Sequence, residues 1–258
     1  MTSASTPEIV LTRDQHVAQI EISRPPHNFV DADVMRRLAE ALLQLDEDDS
    51  CRAIVLSSGV GAFCAGADFS GADQGSVSRD PSAFYAQAMK LYRNRKPIVA
   101  AVAGAAIGAG LGLALVADFR VTCREARFSA SFNRLGFHPG FGMSVTLPRL
   151  VGEQQAALLL YTGRRIDGEE AVRIGLADEL VAQAEVRARA LVLAHDIAAS
   201  APLAVESTRE TLRLGLADRI VAANQRELAI QRVQFATADF REGVAAMAER
   251  RAPVFQRR

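Results

Sequence analysis

The sequence predicts an α/β core that gives way to a helical C-terminal region, and three observations predict it. Short apolar runs alternate with amphipathic helical segments through about residue 150. From Glu153 onward the strand signals fade and 3.6-residue periodicity dominates. Ser200-Ala201-Pro202 then reads as a joint, beyond which residues 203 to 251 are almost entirely helical in pattern. The expected division is a core over residues 1–199 and a helical region over 200–258.

The elements follow in order. Ile9 to Leu11 and Val17 to Ile22 alternate apolar with polar residues, as the two arms of a hairpin would. Ser23-Arg24-Pro25-Pro26 breaks the second arm. A helix started by Asp31 or Asp33 carries an apolar stripe through Val34, Leu38, Leu42 and Leu45, and the acidic Asp46-Glu47-Asp48-Asp49 ends it. Ala53-Ile54-Val55-Leu56 is a buried strand. Residues 59 to 82 are rich in Gly, Ser and Asp and read as a surface loop. A helix over about 82–95 leads into a strand over 98–102, and another helix is expected near Gly108 to Val116. Phe119 to Thr122 and Arg127-Phe128 are short strands. Gly136 to Gly142 is a tight turn before a helix containing Leu147 and Leu150, and Gly215 and Gly243 are expected to interrupt the C-terminal helices.

Bulk properties exclude several classes of function. Thirty basic residues balance thirty acidic ones among 258, so no overall field favours nucleic acid or an anionic membrane. Cys51, Cys64 and Cys123 are far apart, fit no metal-ligand spacing and read as reduced thiols. The opening MTSASTPEIV lacks the basic end and apolar run of a signal peptide, so a cytoplasmic location is expected. Ile98 to Ala117 is twenty residues without a charge, long enough to cross a bilayer, and carries glycines at 104, 108 and 112. Twelve of the twenty are Gly or Ala, and the run begins as a buried strand, so no membrane insertion is expected.

That run carries the chemistry. AFCAGAD (62–68) and the GAGLG of the second stretch (108–112) are small-residue turns placed to leave a backbone N–H free, on Ala67 in the first and Ala109 in the second. Two such donors meeting on one carbonyl oxygen form an oxyanion hole, which holds the charge that develops in acyl chemistry. Gly/Ala runs equally mark close helix–sheet packing. No GxSxG elbow, HExxH or clustered His/Cys set is present, and the glycines at 104, 108, 110 and 112 do not spell GxGxxG.

Eight segments then occur in register: RPPHN (24–28), AFCAGAD (62–68), KPIVAAVAG (96–104), GAGLGLALVADFRV (108–121), the HPG turn (138–140) before a helix ending PRLVG (148–152), AVRIGLADELV (171–181) and ERRAPVF (249–255). Together they resemble the crotonase superfamily of enoyl-CoA hydratases and isomerases over nearly the whole chain. The resemblance implies a spiral of ββα units with C-terminal helices that pack homotrimers, often paired into homohexamers. It implies an acyl-CoA ligand whose thioester oxygen sits between the N–H groups of Ala67 and Ala109, with the following helix directing its positive end at the same charge. No cofactor would be bound permanently; coenzyme A arrives as part of the substrate. For CoA and the acyl group the resemblance points to Arg24, to Ala65, Gly66, Ala67, Asp68 and Phe69, to Ala109, Gly112 and Phe132, and to Arg250 with Arg251 near the C-terminus.

The resemblance also exposes a gap. The two glutamates that flank the reacting carbons in the family's hydratases fall here on Gly112 and Phe132. Neither side chain carries a proton, and loss of a general acid or base costs about 10²–10⁴ in rate. Efficient enoyl-CoA hydration is therefore not expected. His138 is the substitute acid–base candidate, against the alternative that it braces its turn. Ser131, Asn133 and Ser144 could bind a polar acyl chain or satisfy local backbone, while Phe132 and Phe137 suggest an apolar pocket or ordinary core. Two readings stay open: a lyase- or isomerase-like enzyme working through an enolate, and a non-catalytic acyl-CoA binder of the same fold.

Overall fold

The computed structural model describes residues 8–68 and 80–258. The N-terminal hairpin pairs β1 (Ile9–Asp14) antiparallel with β2 (Val17–Ile22). Helix α1 (Ala32–Glu47) starts at Asp31, whose side chain accepts the Val34 N–H at 2.9 Å, so the first of the two candidate caps is used. Its predicted stripe, Val34, Leu38, Leu42 and Leu45, is buried.

Three strands follow in the same sheet: β3 (Ala53–Ser58), β4 (Ile98–Val102) and β6 (Phe119–Thr122), joined at the far edge by the two-residue β9 (Glu179–Leu180). The order is β1-β2-β3-β4-β6-β9, with every pairing after the hairpin parallel. All five residues of β4 are buried, as expected of a central parallel strand covered on both faces.

A second, smaller sheet pairs β5 (Ala105–Ile107) with β7 (Arg127–Ser129) and β7 with β8 (Ile166–Asp167). Isolated parallel bridges continue it, Cys64 to Ala106 and Val30 to Ala67. Each turn of the chain thus lays one strand in the large sheet, one segment in the small sheet, and then a helix. The helices are α1, α2 (Ser82–Ala88, extended by a 3-10 turn over Met89–Arg93), α3 (Ala109–Ala114) and α4 (Met143–Thr162). This is the expected spiral of ββα units.

The charge-free run Ile98–Ala117 is split among β4, β5 and α3, and no single helix among the described residues is long and apolar enough to cross a membrane. Within Met143–Thr162 the backbone at Gly152 is non-helical (φ 76°, ψ 160°), so two helices meet there at a kink and the first ends at the PRLVG segment, as expected. One boundary differs from expectation. Gly243 is no breaker: it lies inside α9 (Ala238–Ala248), where a Cβ would stand 2.6 Å from the Leu135 carbonyl carbon. Close packing there outweighs the cost of a helical glycine.

After α5 (Gly168–Arg173) and α6 (Val186–Ala198), which packs over β3 and β4, the chain enters α7 (Pro202–Leu212), α8 (Leu216–Gln234) and α9. Arg209 of α7 ties this segment to the core. Its Nε donates to Asp118 (2.9 and 3.0 Å), and its Nη atoms donate to the carbonyl and side chain of Asn94 (2.6 and 3.0 Å).

Candidate active site

The two glycine turns meet where the small sheet stops. Cys64 is bonded to β5 on both sides: its N–H donates to Ala105 O (2.8 Å) and its carbonyl accepts Ile107 N–H (3.0 Å). One residue later, Ala65 N–H turns to His27 O (3.0 Å), on the opposite flank. Gly66, at φ +125°, sends its carbonyl to Val30 N–H at 2.9 Å. The peptide is trans, so the Ala67 N–H on the same plane points away from Val30, toward the flank where β5 has already ended. Asp68 N–H returns to Val30 O (3.0 Å). Ala67 N–H finds no acceptor among the described residues.

The second donor arises in the same way. Gly108 (φ 55°, ψ −116°) turns the chain out of β5, its own N–H bound to Ser129 O at 2.8 Å and its carbonyl accepting Gly112 N–H at 3.0 Å. Ala109 begins α3, and its N–H faces out of the helix N-terminus without an acceptor among the described residues. Contact between the turns requires small residues. A Cβ on Gly110 would stand 2.0 Å from Cys64 O, and at Gly66 the φ of +125° is what favours glycine.

Behind α3 lies a wall of aromatic rings. A Cβ on Gly112 would stand 2.5–2.9 Å from Phe141 Cγ, Cβ and Cδ1, so no side chain fits at that position on this backbone. Phe132 Cζ lies 4.0 Å from where a Gly108 Cβ would be, and Phe132 packs edge-on to Phe137 at 5.5 Å. Phe137, Phe235 and Phe240 continue the cluster. Of these, Phe141 was not identified from sequence; its φ of +66° and its fit against Gly112 become visible only in three dimensions.

His138 is half-buried in the turn before α4. Its N–H donates to Gln234 Oε1 (2.6 Å), its carbonyl accepts Gln231 Nε2 (2.8 Å), and ring Nδ1 lies 2.7 Å from Pro139 O. A carbonyl only accepts, so Nδ1 carries the proton of that bond and Nε2 is the free nitrogen. Asn133 Nδ2 donates to Leu160 O (2.7 Å), and Ser144 Oγ donates to Glu227 (2.6 Å). Ser131 is half-buried in the 3-10 turn over Ser131–Leu135.

The candidate CoA residues come from opposite ends of the chain. The Arg24 guanidinium is paired with Glu8 (3.0 Å) and Asp31 (2.9 Å) and donates to Phe29 O (2.9 Å). Arg250 is exposed just past α9, at φ +56°. Arg251 bridges Glu242 and Glu249; its hydrogen bond, with the Val254 N–H, pulls the Glu242 carboxyl down to about 2. Phe69 lies outside the described residues. The three cysteines are free and buried, and burial pushes the Cys64 thiol up to about 12, which leaves it protonated and inert beside the turn. Among the described residues no group of His, Cys, Asp and Glu could hold a metal ion.

Residues 12–258 match the family described as enoyl-CoA hydratase/isomerase. A relative named a probable enoyl-CoA hydratase, from Mycobacterium tuberculosis, is 35% identical across 97% of this chain and 98% of its own. A crystal structure of an enoyl-CoA hydratase/isomerase from Pseudoalteromonas atlantica superposes with a TM-score of 0.89 at 30% identity, covering 97% of this chain and all of the other. A carnitinyl-CoA hydratase from Mycobacterium avium does so with a TM-score of 0.89 at 29% identity, covering 98% of this chain and 100% of the other.

Proposed function

The chain belongs to the enoyl-CoA hydratase/isomerase family, and on that premise we propose that it binds an acyl-CoA thioester with the carbonyl oxygen between the N–H groups of Ala67 and Ala109. The observation that carries this is the pair of unbonded amides on two abutting turns. Each is aimed by the hydrogen bond its own peptide carbonyl makes on the far side. Such donors are fixed before the ligand arrives, so they stabilise an enolate without reorganising. The α3 dipole adds in the same direction.

The reaction is one that needs no pair of carboxylates at positions 112 and 132. Gly112 is sealed by Phe141, and Phe132 is apolar, so neither can hold or deliver a proton to a water. Hydration of crotonyl-CoA is accordingly at least about 10²-fold below that of a hydratase with both acids. His138 is the candidate acid–base group for such a reaction, offering the Nε2 left open by the Nδ1 bond to Pro139 O. The rings against Gly108 and Gly112 favour a second reading, a binder without turnover, because apolar groups stand at the positions the resemblance assigns to the acids.

Calorimetry with butyryl-CoA and free CoA, together with turnover of a thioester panel that includes crotonyl-CoA, tests both. Binding of butyryl-CoA more tightly than CoA, with slow or absent crotonyl-CoA hydration, is the expected result. Rapid crotonyl-CoA hydration would refute the argument from the missing acids, and no affinity for any acyl-CoA would remove the thioester reading altogether. Tight binding with no thioester turned over selects the binder.

A further inference from the structure

Helix α8 carries a buried polar stripe on the face turned toward α4. Glu227 is 1% exposed and makes no ion pair among the described residues. Its carboxylate accepts Gly142 N–H (2.8 Å), Ser144 N–H (3.0 Å) and Ser144 Oγ–H (2.6 Å), and so caps the start of α4 from a helix more than eighty positions away. One turn on, Gln231 Nε2 donates to His138 O (2.8 Å) and Tyr85 Oη (3.1 Å), and Gln234 Oε1 accepts His138 N–H (2.6 Å). Positions 227, 231 and 234 share one helical face, and together they grip the turn from His138 to Ser144 at both ends.

Phe141 sits between the grips. It is fully buried at φ +66°, a conformation that persists for a bulky residue only where its surroundings dictate it. Its carbonyl accepts Tyr92 Oη–H (3.2 Å), its ring lies 5.9 Å from Phe84, and that ring backs Gly112. Helix α3 spans only six residues, too short to hold its own direction. Its orientation is set by Cys64 on one side and Phe141 on the other.

We propose that Glu227 is a positioning residue for the oxyanion hole: by capping α4 from α8 it fixes Phe141 against Gly112 and thereby aims the Ala109 N–H. The proposal rests on the acyl-CoA reading above. Burial pushes the Glu227 carboxyl up, while the Ser144 and Gly142 donors and the nearby His138 oppose that shift. A carboxylate held by three donors is demanding about what replaces it. In Glu227→Gln one oxygen becomes an NH₂ facing an N–H, and two donors cannot bond.

The test is the infrared carbonyl stretch of butyryl-CoA labelled with ¹³C at the thioester carbon and bound to the full chain. In the wild type the stretch is lowered from its position in water, because two amides polarise the bond. In Glu227→Gln it moves back toward the free value, and butyryl-CoA affinity falls by up to about tenfold relative to that of free CoA, the equivalent of one hydrogen bond between neutral groups. A folded Glu227→Gln protein with an unchanged stretch and an unchanged affinity ratio would show that Glu227 is only structural. If Glu227→Gln does not fold, Phe141→Leu, which keeps the cap and thins the ring wall, must produce the same shift or the proposal fails. A wild type that binds butyryl-CoA without lowering its stretch overturns the oxyanion reading itself, a result distinguishable from failure of the Glu227 link.

Discussion

Two amides and one ring define what individual residues do in this protein. Ala109 opens α3, and proline is tolerated at a first helical position because that N–H has no helical partner. Ala109→Pro therefore removes the donor while leaving the helix in place. Acyl-CoA turnover is expected to fall by about 10²–10³; if there is no turnover, the preference for butyryl-CoA over CoA is expected to fall by about two- to tenfold, the loss of one hydrogen bond to a neutral carbonyl. Circular dichroism and Tm should stay near wild type, and an unchanged activity would exclude Ala109 N–H as a donor. At Gly112 the reverse holds. Gly112→Glu restores a carboxyl in composition but drives Cβ into Phe141 at 2.5 Å, so it is expected to destabilise by about 1–3 kcal/mol from overpacking, without gaining hydration. Combining it with Phe141→Ala should show favourable coupling of about 1 kcal/mol or more in a double-mutant cycle of urea unfolding. Additive losses would mean that the ring is not the obstruction.

At the scale of elements, the C-terminal helices are joined to the sheet through one carboxylate. Asp118 accepts Ile98 N–H (2.9 Å) at the start of β4, Arg209 from α7, and Arg213 (2.7 Å) from the turn before α8. Burial alone would push its carboxyl up, but the Arg209 and Arg213 guanidiniums and the Ile98 amide more than offset this, and it lies below its ordinary value. The unfolded chain then takes up a proton near pH 4 while the folded one resists, so the contribution is complete above that pH and is lost as pH falls through the folded value. Wild-type Tm is expected to hold from pH 7 to about 5 and to drop below about 4, and Asp118→Asn should flatten part of that drop. At neutral pH the same change leaves Arg209 short of its partner and is expected to cost about 3–5 kcal/mol. An Asp118→Asn protein with the wild-type acid slope would place the titration elsewhere.

The element boundaries were legible wherever local chemistry decides them. Asp31 caps α1, the apolar run Ile98–Val102 is the central strand, and Gly215 stands in the break between α7 and α8 as the N-cap of α8. They were not legible where a distant neighbour decides. Gly243 reads as a breaker until Leu135 is found against it.

Over the whole molecule, the C-terminal helices leave several large apolar side chains exposed. Leu203, Leu212, Leu214 and Val233 are each more than 70% exposed. The homotrimer or homohexamer that the family resemblance implies would be one way to cover them. Light scattering on the purified chain is expected to return three or six times the chain mass, and a monomer at micromolar concentration would remove that expectation. The sequence by itself determined the family, the alternation of strand and helix, the two glycine turns and the lack of carboxylates at positions 112 and 132, because each is a matter of which residues stand at which spacing. Only the tertiary structure decided where the peptide planes of Ala67 and Ala109 point, that Phe141 closes Gly112, and that Glu227 reaches the same turn. A backbone N–H takes its direction from the hydrogen bonds of neighbouring peptides, and those partners come from segments far apart in the chain.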